Sequence, residues 1–272
     1  MFYFHEKQNT NLYKSSILDD EKIIHAFTTR TGGNTPVPLS TFSMGTAENP
    51  ELLPYVEENR KKICEILEIK YKNLIIPEQK HTDNIKIVSS INDDVSNCDG
   101  LITEVPELVL MLLFADCVPV IIYAPDKHII SVVHAGWRGT AKSIVKKAVN
   151  ILDKEFHADI KKIKVAIGSA IGQCCYPVST EVSEELVNTI QEDCDNIFTR
   201  NINDNNLVNV DLKKLNARQL EDTGVINIDK SDNCTCCMSS VFYSYRAEKG
   251  KTGRHAAIAS LSTCHCKGYP FF

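Results

Sequence analysis

The sequence has no uninterrupted apolar run long enough to cross a membrane as a helix. Its most apolar window, residues 105–124, contains Pro106, Glu107, Asp116 and Pro119, and charge and proline at such positions are costly within lipid. A signal-peptide core is missing as well. In MFYFHEKQNTNLYK only four leading residues count as apolar or aromatic before charges begin, too few for an h-region. Lysine and arginine are scattered, and the formal net charge is −5, which excludes the basic face that tracks a phosphate backbone. The expectation is a cytoplasmic protein with neither membrane nor nucleic acid as partner.

No internal repeat, low-complexity tract or Pro/Gly/Ser-rich linker divides the chain. With 272 residues, 43% of them hydrophobic, there is enough apolar material for one full core, so a single unit over residues 1–272 is expected. The cysteine count, eleven, is odd and high. Without an export signal these cysteines are expected to stay reduced, as free thiols or metal ligands.

Helical periods alternate with short strand-like runs. Val56, Ile63, Ile66 and Leu67 fall near one side of residues 55–69, which predicts a surface helix. A second is predicted over 140–156 with Thr140 as N-cap, and a third from the cap Asp211 to about Thr223, ended by Gly224. Strands are expected at 85–88, 108–114, 118–123, 128–133, 163–167 and 241–245, and a long exposed loop at 201–209. The segment YAPDKH between two of these runs carries a Pro-Asp turn signal, so they form a hairpin. An antiparallel pair there brings Cys117 and His134, seventeen residues apart, to the same end.

A thiolate and an imidazole at one end of a hairpin are two zinc-type donors, and a third would complete a catalytic site with one open position. His81, in PEQKHTDNIKIV just before a strand, is the natural third. From spacing alone this trio competes with ordinary core histidine and cysteine.

Seven motifs occur in order: TTRTGG (28–33), PEQKHT (77–82), CDGLIT (98–103), ADCVPV (115–120), HAGWRGT (134–140), IGQCCYPVSTEV (171–182), and FYSYR followed by TGRHAA (242–257). In these the chain resembles the YfiH-type family, also called the laccase-domain or polyphenol-oxidase-like family, over nearly its whole length. ADCVPV followed by HAGWRGT is the specific part; CDGLIT alone is weak. The resemblance implies zinc on His81, Cys117 and His134. It implies phosphorolysis of adenosine, inosine, guanosine and methylthioadenosine, with adenosine deamination as a further activity.

Phosphate held beside a ribose calls for cationic groups. Arg30, before two glycines, and Arg138, in the turn entering a helix, are the expected anion holders; a plain turn at Gly32 and Gly33 and a salt bridge that holds the Arg138 turn are the alternatives. Gln79 is expected to read purine edges or to cap a turn, and Asp116 to orient a ligand, carry a proton or only support the neighbouring thiolate. Arg246 and Arg254 are weaker candidates, expected as structural partners of carboxylates. The fold implied is α+β, with mixed β-sheets packed together and helices on the outer faces of a single compact domain. A monomer is the default.

The chain departs from the family's usual pattern at Gly168, Ser169, Ala170 and at Cys175, Tyr176, Pro177, which affects substrate contacts assigned there. NCTCC (233–237) and TCHC (263–266) add clustered soft ligands, and residues 263–272 look like an added tail. Their spacing is not a standard doubled Cys-x-x-Cys. The expectation is reduced thiols there and at Cys174 and Cys175, with a second metal on Cys234, Cys236, Cys237, Cys264, His265 and Cys266 as the alternative.

Other functions compete. Copper-dependent phenol oxidation in a multicopper centre requires many imidazoles, commonly as His-x-His pairs. Eight histidines without such a pair disfavour it, although one His/Cys/His site could take copper adventitiously. A metal-free cysteine hydrolase with Cys117 as nucleophile and His134 as base is a further reading. An amide hydrolase or editing factor for cell-wall precursors, and a non-enzymatic binder, complete the set.

Overall fold

The computed structural model describes residues 1–191 and 196–263. In chain order the strands begin with β1 (Phe2–Lys7), β2 (Thr10–Ser15), β3 (Ile23–Thr28), β4 (Leu74–Ile75) and β5 (Ile85–Ile87). They continue with β6 (Gly100–Thr103), β7 (Val109–Phe114), β8 (Val118–Ala124), β9 (Ile129–Ala135) and β10 (Lys164–Ile167). The last are β11 (Pro177–Ser179), β12 (Phe198–Arg200), β13 (Leu207–Val210), β14 (Asn227–Lys230) and β15 (His255–Leu261). Five α-helices, α1 (Leu53–Leu67), α2 (Trp137–Ala141), α3 (Ile144–Phe156), α4 (Thr180–Val187) and α5 (Leu212–Glu221), and five single turns of 3-10 helix complete the described elements. None is long and apolar enough to cross a membrane.

Two mixed six-stranded sheets, ordered β1-β2-β3-β15-β7-β4 and β14-β10-β8-β9-β6-β5, carry the molecule, and β11-β13-β12 form a small third sheet. The alternation of side chains explains how the two large sheets stack. Leu110, Leu112 and Phe114 of β7 meet Ile121 and Tyr123 of β8 and Ile130 and Val132 of β9 in one inter-sheet core. The intervening residues Val109 and Met111 face the opposite way, onto Ile63 and Ile66 of α1. On the far side Val118, Val120 and Ile122 pack against Ile144, Val145, Ala148, Val149 and Leu152, the apolar stripe of α3. Helices therefore cover the outer faces of two stacked sheets. Strands buried on both faces read as continuous apolar runs, and this is why β7, β8 and β9 stand out in the sequence.

The hairpin forms as expected, with Ala124 opposite Ile129 and Pro119 opposite His134. Asp211 caps α5 by accepting the Lys214 N–H at 3.0 Å, and Gly224 takes φ +96°, the left-handed geometry that ends a helix.

Four sequence expectations are corrected. The helix at 140–156 is two helices, broken where Ser143 takes φ +56°. Thr140 lies inside α2, its N–H donating to the Gly136 carbonyl at 2.8 Å, and so caps nothing. The loop at 201–209 ends earlier, because β13 starts at Leu207 and pairs with β12. Residues 241–245 are a turn, held by Val241 and Phe242 N–H groups donating to the Met238 carbonyl; their aromatics are anchors, with the Tyr243 hydroxyl donating to the Leu39 carbonyl at 2.8 Å.

Candidate metal centre

Cys117 and His134 emerge at the same end of the β8–β9 hairpin, and the loop before β5 brings His81 to them. One donor atom from each lies within 4.8 Å of the other two. The His81 and His134 rings meet edge to face at 4.9 Å between centroids. Donors at zinc bond lengths around one tetrahedral ion stand about 3.4–3.8 Å apart, and the trio is grouped closely enough for one ion to be held by all three. His134 is buried, Cys117 is half-buried and His81 is exposed; the centre opens on the His81 side.

Backbone geometry aims these side chains. His81 and Asp116, the residue before Cys117, have φ of +58° and +84°, which non-glycine residues adopt only when their surroundings impose it. Asp116 is imposed upon from two sides: its carboxylate accepts the Thr235 hydroxyl at 2.6 Å and the Arg246 N–H at 2.7 Å. Gly136 passes so close that an added Cβ would stand 3.1 Å from the His81 ring and 3.2 Å from Cys117 Sγ.

Asp99, fully buried, ties the centre together. Its Oδ1 lies 2.8 Å from His134 Nδ1 and accepts the His81 N–H at 3.0 Å. Its Oδ2 accepts the Thr82 N–H at 2.6 Å, the Thr82 hydroxyl at 2.8 Å and the Lys80 N–H at 3.1 Å. Burial would push this carboxyl up, but the His134 contact and the Thr82 donors outweigh it and hold the group down at about 2. Asp99 was missed by sequence reasoning. The available signal was CDGLIT combined with the rule that a ligating histidine is oriented by a carboxylate.

Burial likewise disfavours charge on Cys117 and His134. Their mutual attraction and hydrogen bonds still bring the thiol below its ordinary value, with His81 assisting, and lift the imidazole above its own, with Asp99 assisting. The result is a thiolate-prone sulfur, the form in which cysteine binds metal or attacks carbon.

A cleft of about 720 Å³ opens over the trio. Gln79, Asp116, Arg138, Tyr176, Arg60, Arg246 and Arg254 are among its lining residues. The four arginines are braced by neutral groups. Arg60 donates to the Met44 carbonyl, Arg246 to Cys175 and Arg254 to Thr252 and Gly253, while Arg138 lies 4.4 Å over the Trp137 ring. Among the described residues none of the four forms an ion pair, although the Glu48 and Asp116 carboxylates line the same cleft, so four guanidinium charges face two carboxylate charges there. Burial, with the Cys117 sulfur, pushes the Tyr176 phenol up by more than Arg246 and Arg138 pull it down.

The other sequence candidates sort by geometry. Arg30 lies outside the cleft, paired with Glu248 at 3.0 Å and donating to the Ser239 carbonyl, so its guanidinium is already engaged. Gln79 lines the cleft, but its amide is committed at both ends to the Leu113 backbone, at 2.9 and 2.7 Å. Arg246 and Arg254 stand on the cleft wall with guanidiniums that form no ion pair; Arg246 is a carboxylate's partner only through its main-chain N–H, which donates to Asp116. Of the divergent segment after residue 167, Ile171 and Tyr176 reach the cleft, while the Ser169 hydroxyl is buried against Ser231.

An α+β double sheet with a His/Cys/His centre able to bind metal beneath an arginine-lined cleft defines a metal-site protein of the laccase-like class. The chain belongs to the multi-copper polyphenol oxidoreductase laccase family, whose sequence model matches residues 24–262. It is 33% identical to purine nucleoside phosphorylase YlmD of Geobacillus stearothermophilus, over 86% of this chain and 89% of that protein. The corresponding protein of Bacillus subtilis is 29% identical over 89% of this chain and 90% of its own length. The crystal structure of the Geobacillus YlmD superposes with a TM-score of 0.88 at 30% identity, covering 96% of this chain and 99% of that one. That of Bacillus licheniformis hypothetical protein YfiH gives 0.86 at 31%, over 95% and 99%.

Proposed function

We propose that this chain is a zinc-dependent purine nucleoside phosphorylase that also deaminates adenosine, with adenosine, inosine, guanosine and methylthioadenosine as its substrate class. One observation carries the proposal: three possible metal donors and four arginines whose guanidiniums form no ion pair line one cleft. Relatives named purine nucleoside phosphorylase support the reaction class.

His81, Cys117 and His134 would hold the zinc, which would supply a Lewis acid at the floor of the cleft. The chain's own groups do the rest. In phosphorolysis a phosphate oxygen bonds to C1′ of the ribose as the bond from C1′ to the purine nitrogen breaks, and its electron pair leaves on the base. Arg138 and Arg246 hold the phosphate and offset the negative charge that develops. The Tyr176 hydroxyl donates a hydrogen bond into the same space. Asp99 accepts from His134 Nδ1, which leaves Nε2 as the donor to the metal. Asp116 positions Cys117 through the Thr235 and Arg246 contacts instead of carrying a proton.

The test is paired. Protein purified without added metal is analysed for zinc and copper, then given adenosine with and without phosphate. Adenine and ribose-1-phosphate appearing only with phosphate, and inosine as the deamination product, are expected. Metal-loaded protein without nucleoside turnover removes the reading.

One observation favours a second reading. Cys117, His134 and Asp99 form a relay of nucleophile, base and orienting carboxylate suited to amide hydrolysis. It predicts activity that survives chelators and is lost on alkylation, and it leaves His81 without a task. We place the enzyme in the cytoplasm, where the eight described cysteines, all free, stay reduced. We also take it as a monomer, because one chain supplies every group named; sedimentation analysis tests this.

A further inference from the structure

A second cluster of sulfur donors lies outside the cleft. Cys174 and Cys175 sit on a single turn of 3-10 helix, Gln173–Cys175, and Cys234 and Cys237 belong to the turn following β14. One sulfur from each of the four lies within 4.8 Å of the other three. Cys237 Sγ is 3.6 Å from Cys174 Sγ and 3.5 Å from Cys175 Sγ. Sulfurs around one tetrahedral ion at zinc–sulfur bond length stand about 3.8 Å apart; the two Cys237 distances are of that size and all four sulfurs lie within 4.8 Å of one another, close enough to close on a single ion. An iron–sulfur cubane holds its cysteines farther apart, because a whole cluster separates them.

The backbone supports this cage in two ways. The N–H groups of Gly172 and Cys237 both point at Cys234 Sγ, the former at 3.1 Å, and N–H donors stabilise a thiolate. Gly172 also lets the two loops close, since a Cβ there would stand 3.0 Å from Cys234 Cβ and 3.3 Å from the sulfurs of Cys174 and Cys234. The ligand set differs from the sequence expectation. Cys234 and Cys237 are a Cys-x-x-Cys knuckle, and the other arm is the vicinal pair Cys174–Cys175. Cys264, His265 and Cys266 lie outside the described residues.

We propose that Cys174, Cys175, Cys234 and Cys237 form a structural zinc site distinct from the His81/Cys117/His134 centre. Binding one Zn²⁺ releases the four thiol protons and leaves a tetrathiolate complex of charge −2; nothing is oxidised. Closed four-sulfur coordination leaves no open position, so the site clasps and does not catalyse. What it clasps is the cleft wall. The 172–176 loop ends in Tyr176, the carbonyl of Cys175 accepts from Arg246 at 3.0 Å, and Thr235, inside the knuckle, holds Asp116. Removing this ion is expected to loosen phosphate binding and raise KM while the other centre keeps its metal.

The test uses full-length protein purified under reductant, with metal counted directly. About two zinc ions per chain are expected, falling to about one in the double variant Cys236→Ser/Cys237→Ser, which also removes the neighbouring thiol as a substitute ligand. Cobalt replacement separates the sites. Its tetrathiolate charge-transfer absorption should persist in Cys117→Ser and vanish in the double variant. If that variant does not fold, the Cys117→Ser cobalt spectrum alone decides. Zinc stoichiometry unchanged by the double substitution, no tetrathiolate signature in Cys117→Ser, or a disulfide among the four in freshly reduced protein would overturn the proposal. None of these readouts depends on nucleoside turnover.

Discussion

Asp99 and His134 share a 2.8 Å contact between Oδ1 and Nδ1, and the same carboxylate receives the backbone of the loop that carries His81. One buried side chain therefore orients one proposed ligand directly and another through its main chain. Asp99→Asn is expected to weaken zinc binding about 10–100-fold. It also leaves N–H donors of residues 80–82 facing an amide, at a cost of about 1–3 kcal/mol. Chelator competition and thermal unfolding measure the two effects. Unchanged zinc affinity would remove Asp99 from the centre.

Cys117→Ala is expected to lose both turnover and the zinc of its centre without unfolding, because the thiol is half-buried and its removal leaves both sheets intact. Metal content, circular dichroism and nucleoside assays on the same sample decide it. Full activity in this variant would sink the metal assignment.

Arg138→Ala and Arg30→Ala should part company. The former is expected to raise KM for phosphate about tenfold, the equivalent of about 1.4 kcal/mol, with little change in Tm. The latter breaks the partly buried pair with Glu248 and is expected to lower stability by about 2 kcal/mol while leaving phosphate KM nearly unchanged. The reverse pattern would return Arg30 to the anion site.

His255 begins β15, buried beside Phe114 and Phe242, and neither ring nitrogen has a hydrogen-bond partner. Burial, with help from Arg254, depresses its pKa from 6.5 to about 3. The folded state thus prefers the neutral ring. Its contribution to stability is complete above pH 6.5 and is lost as pH falls toward 3, by up to about 1.4 kcal/mol per pH unit. Denaturant titrations at a series of pH values should show this slope in the parent and a shallower one in His255→Phe.

What was legible in the sequence follows from what each element needs. The β8–β9 hairpin announces itself because both strands are buried on both faces and a Pro-Asp turn separates them, and Cys117 and His134 follow from it. β15 stayed hidden because HAAIASL carries small residues of low strand preference, chosen by neighbours on both sides rather than by the backbone. Asp99 stayed hidden for a related reason: its partners are donors from residues 80–82 and from His134, none adjacent in sequence. Arg30 showed the converse error. Its glycines suggested an anion loop, yet its carboxylate partner Glu248 lies 218 residues away.

β15 also sets an order of events. It fills the gap between β3 and β7, pairing antiparallel with both. A growing chain holds those two strand edges unpaired until residues 255–261 emerge, because a partner cannot be supplied earlier. Every nascent chain thus passes through a stage with two sticky seams, and a ribosome stalled before residue 255 releases a product primed for aggregation rather than a smaller working protein.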